Sequence, residues 1–195
     1  MKKLIYLMAV SLSALTFQAC SGGSKDAKES ADSLNLAKDT TTNLAATGGI
    51  AVDEADAKFA TQAAVGGMAE VELGKMALEK GTNQQVKDFA SMMVKDHGMA
   101  NTELMDISAK KNITLPSTVD EEHKKIMDDL SKKTGADFDK AYVDAMVSGH
   151  KATLKLMEDE SKNGADADLK AFATKTSPTV QGHLVMINKI SDSMK

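Results

Sequence analysis

The chain has no arginine, no tryptophan, one cysteine and two prolines in 195 residues. Without arginine there is no planar guanidinium fork for phosphates, and aromatics at 4% leave little for bases to stack on. A formal net charge of −4 also lacks the basic footprint of a nucleic-acid binder, so no nucleic-acid partner is expected. A single cysteine forms no internal disulfide, so stability must come from packing. Few aromatics and few β-branched runs, set against abundant Ala, Met, Leu, Lys and Glu, favour helix over strand. There is no Gly-x-Ser-x-Gly elbow and no phosphate-binding glycine loop, and no residue set reaches the specificity of a catalytic motif. The expected function is therefore non-enzymatic, a binding or stress-related module.

The one cysteine, Cys20, follows a short apolar segment, Leu4 to Phe17, that opens with Lys2 and Lys3. That segment is too short for a permanent membrane span and reads as a secretory signal over residues 1–19. Phe17-Gln18-Ala19-Cys20 resembles a bacterial lipobox in its small residue before the cysteine, and departs from it at Phe17 and Gln18. The expectation is lipidation at Cys20, a membrane contact through that anchor, and an exported protein at the outer membrane or in the periplasm. Residues 20–52, rich in Ser, Gly, Thr, Ala, Lys and Asp and without apolar periodicity, read as a flexible tether. A helix around Asp32 to Asp39 is the alternative, with little to pack against.

From Asp53 the pattern becomes helical. Phe59, Ala63, Gly66, Glu70, Leu73 and Ala77 recur at three- and four-residue steps, and Gly81 ends that stripe. Thr82 to Gln85 offers a capping box for a second stripe holding Val86, Phe89, Met93, His97, Ala100, Leu104 and Ile107. A break over Asn112 to Pro116 leads to a second capping candidate, Thr118 to Glu121, and a short helix that Thr134-Gly135 closes. A third long stripe carries Val143, Met146, His150, Thr153 and Met157 and ends at Asn163-Gly164. The last begins near Asp166 and holds Leu169, Phe172, Val180, His183, Met186, Ile187 and Ile190, with Pro178 predicting a kink or a restart capped by Ser177.

Helices of about 28 residues are about 42 Å long. Two such hairpins joined by one long crossover bury their stripes best as an all-α, ferritin-like antiparallel four-helix bundle over residues 53–193, with a short helix in the crossover. Phe89-x3-Met93-Val94-x2-His97 also matches Tyr142-x3-Met146-Val147-x2-His150, and Val180-x2-His183 repeats the ending, which points to an internal repeat.

Several strings resemble the domain of unknown function 4142 family: Gly67-Met68-Ala69-Glu70-Val71-Glu72-Leu73-Gly74-Lys75, Met93-Val94-Lys95-Asp96-His97 with Ala100-Asn101, Ile113-Thr114-Leu115-Pro116, Phe138-Asp139-Lys140-Ala141-Tyr142 and Leu169-Lys170-Ala171-Phe172-Ala173. The resemblance runs from about Asp56 to Ile190. It implies a ferritin-like helical bundle in an exported or outer-membrane protein, and no established activity. Gly149, before His150, departs from the acidic residue the family often carries there, as this chain does at Asp96.

His97, His150 and His183 sit on apolar stripes of three different long helices, and Glu70 on the stripe of the fourth. Pointing inward at one depth, they would form a transition-metal site of three imidazoles and a carboxylate, and the alternative function is that of a metal-binding or metal-dependent redox protein. Without a metal, the same residues would serve packing specificity. The Glu-x-x-His pairs of ferritin-like di-iron enzymes are absent, because valine stands three residues before each histidine. Met93, Met146 and Met186 lie one turn from the histidines and read as core, with copper(I) ligation the alternative. His123, on the crossover helix, reads as a boundary residue.

Overall fold

The computed structural model describes residues 26–38 and 53–194. Cys20, the apolar segment before it and most of the tether lie outside these residues. Six helices and no strand occur among the described residues: α1 (Ala27–Lys38), α2 (Glu54–Lys80), α3 (Gln84–Lys110), α4 (Glu121–Ser131), α5 (Gly135–Asn163) and α6 (Ala167–Ser193). The fold is all-α, as composition and periodicity require.

Each long helix packs on two others, α2 on α3 and α5, and α6 on α5 and α3. One apolar cluster joins the start of α2 (Phe59, Ala60), the end of α3 (Leu104), the end of α5 (Met157) and the start of α6 (Leu169, Phe172). The other joins the end of α2 (Leu73), the start of α3 (Phe89), the start of α5 (Tyr142) and the end of α6 (Ile187). Neighbouring helices are therefore antiparallel, and the crossover carrying α4 travels the length of the bundle. Ile126 and Met127 of α4 pack on the second cluster and Leu130 is buried in it. Between the two clusters lies a layer that is not apolar, holding Glu70, His97, His150 and His183.

The two hairpin turns are built alike. A Cβ on Gly81 would lie 2.5 Å from the Ala77 carbonyl oxygen, and one on Gly164 2.7 Å from that of Glu160, so neither turn admits another residue. Asn83 and Asp166 then cap α3 and α6, each accepting from backbone N–H groups with its side-chain oxygen. The first hairpin maps onto the second at a spacing of 83 residues, which is also the separation of the hydrogen-bonded pair Glu70 and Thr153. The histidine strings, which duplicated hairpins would explain, align α3 with α5; in the structure the hairpins do correspond, but with α2 matching α5 and α3 matching α6.

Four further expectations are revised. Ala27–Lys38, within the expected tether, is a helix docked on α2 and the crossover. Its buried residues are only Ala31 and Asn35, too few for apolar periodicity to reveal. Asn35 Nδ2 donates to the Thr114 carbonyl at 2.9 Å and Asn35 Oδ1 accepts from the Thr114 N–H at 2.7 Å. Helix α6 runs unbroken through Pro178, with no restart at Ser177. Helix α4 is capped by Asp120 rather than Thr118, and Thr134-Gly135 opens α5 rather than closing α4, with Thr134 at the N-cap position but without a side-chain hydrogen bond there. Met186 is 43% exposed, while Met93 and Met146 are buried in the second cluster.

Candidate metal centre

The three histidines come from α3, α5 and α6 and meet in the layer between the apolar clusters. His97, His150 and His183 are 5%, 0% and 3% exposed. Their ring centroids form a nearly equilateral triangle, 5.5 Å from His97 to His150, 5.4 Å from His97 to His183 and 5.5 Å from His150 to His183. One nitrogen of each lies within 4.8 Å of the others. Phe89, two turns before His97, closes one side, with centroids 5.8 Å from His150 and 6.3 Å from His183.

Each imidazole has one nitrogen held and one free. His97 Nδ1 lies 2.8 Å from Glu70 Oε2. His150 Nδ1 donates to the Met146 carbonyl at 2.9 Å, with Glu70 Oε1 at 3.4 Å. His183 Nε2 donates to Asp96 Oδ2 at 3.0 Å. The opposite atoms, His97 Nε2, His150 Nε2 and His183 Nδ1, are buried and have no hydrogen-bond partner among the described residues. An unpaired buried polar atom costs about 1–3 kcal/mol. Among the described residues four atoms of this layer are buried without a hydrogen bond, the three imidazole nitrogens and Glu70 Oε2, the last ion-paired with His97. Partners that hold one imidazole nitrogen and fix the ring are what metal-ligating histidines carry on their far side.

The charges follow from the same contacts. Burial pushes the Glu70 carboxyl up, but the facing His97, His150 and His183 outweigh it and hold Glu70 below the usual carboxylate range. Burial pulls His97 down, and Glu70, with Asp96, more than reverses this, so His97 titrates above its ordinary value. Burial pushes His150 and His183 below theirs. The layer thus favours an ionic Glu70–His97 pair beside two neutral imidazoles, the form in which histidine ligates metals. Burial, with the Glu70 charge adding, pushes the Tyr142 hydroxyl up, and its oxygen is buried without a hydrogen-bond partner among the described residues.

All four candidate residues are thus brought together, but in unequal positions. The histidines form the three-nitrogen cluster, and Glu70 stands behind His97 and His150 as their ion-pair partner rather than as a member of it. His123 is peripheral, its Nδ1 2.6 Å from Asp120 Oδ1 on the crossover. Sequence reasoning missed Asp96 as the partner of His183. Its signal was present in the Asp96-His97 pair, but the pairing crosses from α3 to α6 and needs the helix order.

The sequence pattern of the domain of unknown function family DUF4142 matches residues 39–190, and the chain belongs to that family. A search among curated proteins returns no match. Among solved structures, CopM in its Cu(II)-bound form aligns at a TM-score of 0.62 and 13% identity, covering 72% of this chain and 97% of that one. CopM in its Cu(I)-bound form aligns at 0.61 and 13% identity, covering 71% and 96%. A DUF305 fragment from Deinococcus radiodurans aligns at 0.64 and 11% identity, covering 73% and 98%. At these identities the likeness establishes the shared helical fold.

Proposed function

We propose that this protein binds a transition-metal ion of the copper or silver class through His97, His150 and His183, without catalysing a reaction. One observation carries the reading: three buried imidazoles converge from three helices, each with one nitrogen held by an acceptor and the other free. Three imidazole nitrogens suit copper, silver or zinc once His97 gives up its proton on binding, and the held nitrogens fix the orientation of the rings. Three nitrogens about 2.0 Å from one ion stand roughly 3.5 Å apart, so binding draws the rings inward by about 1 Å. Copper-bound CopM having the same fold supports copper over zinc.

Metal content of protein purified without a polyhistidine tag tests this. One equivalent of copper or silver is expected in the wild type and none in His150→Gln, with unchanged helical circular dichroism. Wild type that binds nothing, or His150→Gln that binds as wild type does, overturns the reading.

The setting is part of the proposal. The signal-like segment, the single Cys20 and the polar stretch after it support a lipid-anchored, exported protein of the bacterial envelope. No described helix is long and apolar enough to cross a membrane. Cys20→Ala is expected to release the domain from membranes and to abolish fatty-acid labelling. Retention of both would remove the anchor.

A further inference from the structure

A groove of about 680 Å³ runs between α2 and α5, flanked on one side by α4. Its walls hold pairs of small residues at the 83-residue spacing, Gly66 with Gly149 and Ala69 with Ala152, and at its floor is Glu70. We infer that this groove is the way by which the cation reaches the histidine layer, with Glu70 as the inner gate; this rests on the metal-binding reading above.

Three observations carry it. First, Glu70 belongs to both places: it lines the groove, yet only 3% of it is exposed and its carboxylate holds His97 and His150. Second, the carboxylate has room to turn toward the groove. A Cβ on Gly149 would come no nearer to anything than 4.0 Å from Glu70 Oε1, and one on Gly66 no nearer than 3.9 Å from Thr153 Oγ1. A longer side chain at Gly149 would fill that space. Third, the rim carries carboxylates. Asp120, Glu122 and Asp159 line it; Asp159 is paired with Lys155, Asp120 with His123 and the rim lysine Lys28 with Asp32, and Glu122 adds a further carboxylate. Carboxylates along low-dielectric walls concentrate cations locally. A cation would exchange water for rim carboxylates, then for Glu70, then for imidazole. Glu70 turns to meet it, hands it to the free imidazole nitrogens and returns behind His97, while the Met146 carbonyl holds His150 throughout.

Silver uptake by the full chain after rapid mixing, stopped at set times on a chelating resin, tests the route. Gly149→Leu and Ala152→Phe narrow the groove at two depths without touching the histidines, and circular dichroism verifies their fold. Both are expected to load about tenfold or more slowly and to reach the wild-type stoichiometry. If both load at the wild-type rate, the groove is not the route and the way in lies at the α3/α6 seam, where Asp96 is partly exposed. A lowered endpoint at an unchanged rate also overturns it, because the substitutions then act on the site itself. Wild type that takes up no silver overturns the metal reading, and the route with it.

Discussion

Asp56 and Asp139 do the same work at opposite ends of the bundle, each tying off the turn of the other hairpin. Asp139, on α5, accepts from the backbone N–H of Thr82 at 3.0 Å and of Asn83 at 2.8 Å, and from the Thr82 hydroxyl. Asp56, on α2, accepts from the backbone N–H of Ala165 at 3.1 Å and from that of Asp166. The two are 2% and 1% exposed and stand at the 83-residue repeat spacing, so the hairpins clasp each other reciprocally. The clasp is what the duplicated hairpin has kept. The histidines obey no such symmetry, because at that spacing His150 matches Gly67 and His97 matches Val180. The polar layer is therefore a specialisation added to a symmetric frame.

Removing one half of the clasp strands buried N–H groups. Hydrogen bonds to charged acceptors contribute about 1.5–3 kcal/mol each, and they are not additive. Asp139→Ala is expected to cost about 3–4 kcal/mol in urea unfolding and Asp139→Asn less. A loss below about 0.5 kcal/mol, the range of ordinary surface changes, would show that the turn is held by packing alone.

Glu70→Gln separates an anchoring role from ligation. As the carboxylate behind His97, with His150 also in ion-pair range, Glu70 sets ring orientation and imidazole basicity, and losing such a partner costs about 10–100-fold in metal affinity. Competition titration is expected to show that drop with the full metal equivalent retained. Loss of the equivalent would make Glu70 a ligand.

The ends of α2 and α5 at Gly81 and Gly164 and the start of α6 at Asp166 were legible in sequence, because backbone approaches backbone at those glycines and N–H groups need an oxygen at Asp166. The caps of α3 and α4 were not, lying at Asn83 and Asp120 rather than Thr82 and Thr118. The burial of His97, His150 and His183 was legible too, because each interrupts an apolar stripe at helical spacing. What was hidden depends on neighbours. Asp96 reaches His183 across two helices, and α1 docks through Asn35 and Thr114, 79 residues apart. Pro178 misled because proline disfavours helix locally, while buried Phe172, Val180 and Ile187 on either side hold α6 in one piece.

That proline has a measurable cost. It cannot donate to the Thr174 carbonyl and sits, exposed, in the interior of a helix of 27 residues. Proline is about 3 kcal/mol worse than alanine in such a position. Pro178→Ala is expected to stabilise the fold by about 1–3 kcal/mol in urea unfolding. An unchanged or lowered midpoint would mean that the ring is needed where it lies.

Glu160 makes stability depend on pH in the direction opposite to most carboxylates. Burial, and then the nearby Asp56, Asp53 and Asp166, push its carboxyl from 4.5 up to about 7, and its Oε1 is buried without a hydrogen-bond partner among the described residues. Between those values the folded chain holds a proton that the unfolded chain has released. The contribution of Glu160 is thus full below 4.5 and is lost as pH rises through about 7. Glu160→Gln keeps the neutral form at every pH. It is expected to melt several degrees above wild type at about pH 8 and to converge with it near about pH 4, where both side chains are uncharged. Equal melting temperatures at the higher pH would show that the acidic end of the bundle relaxes to hydrate the carboxylate.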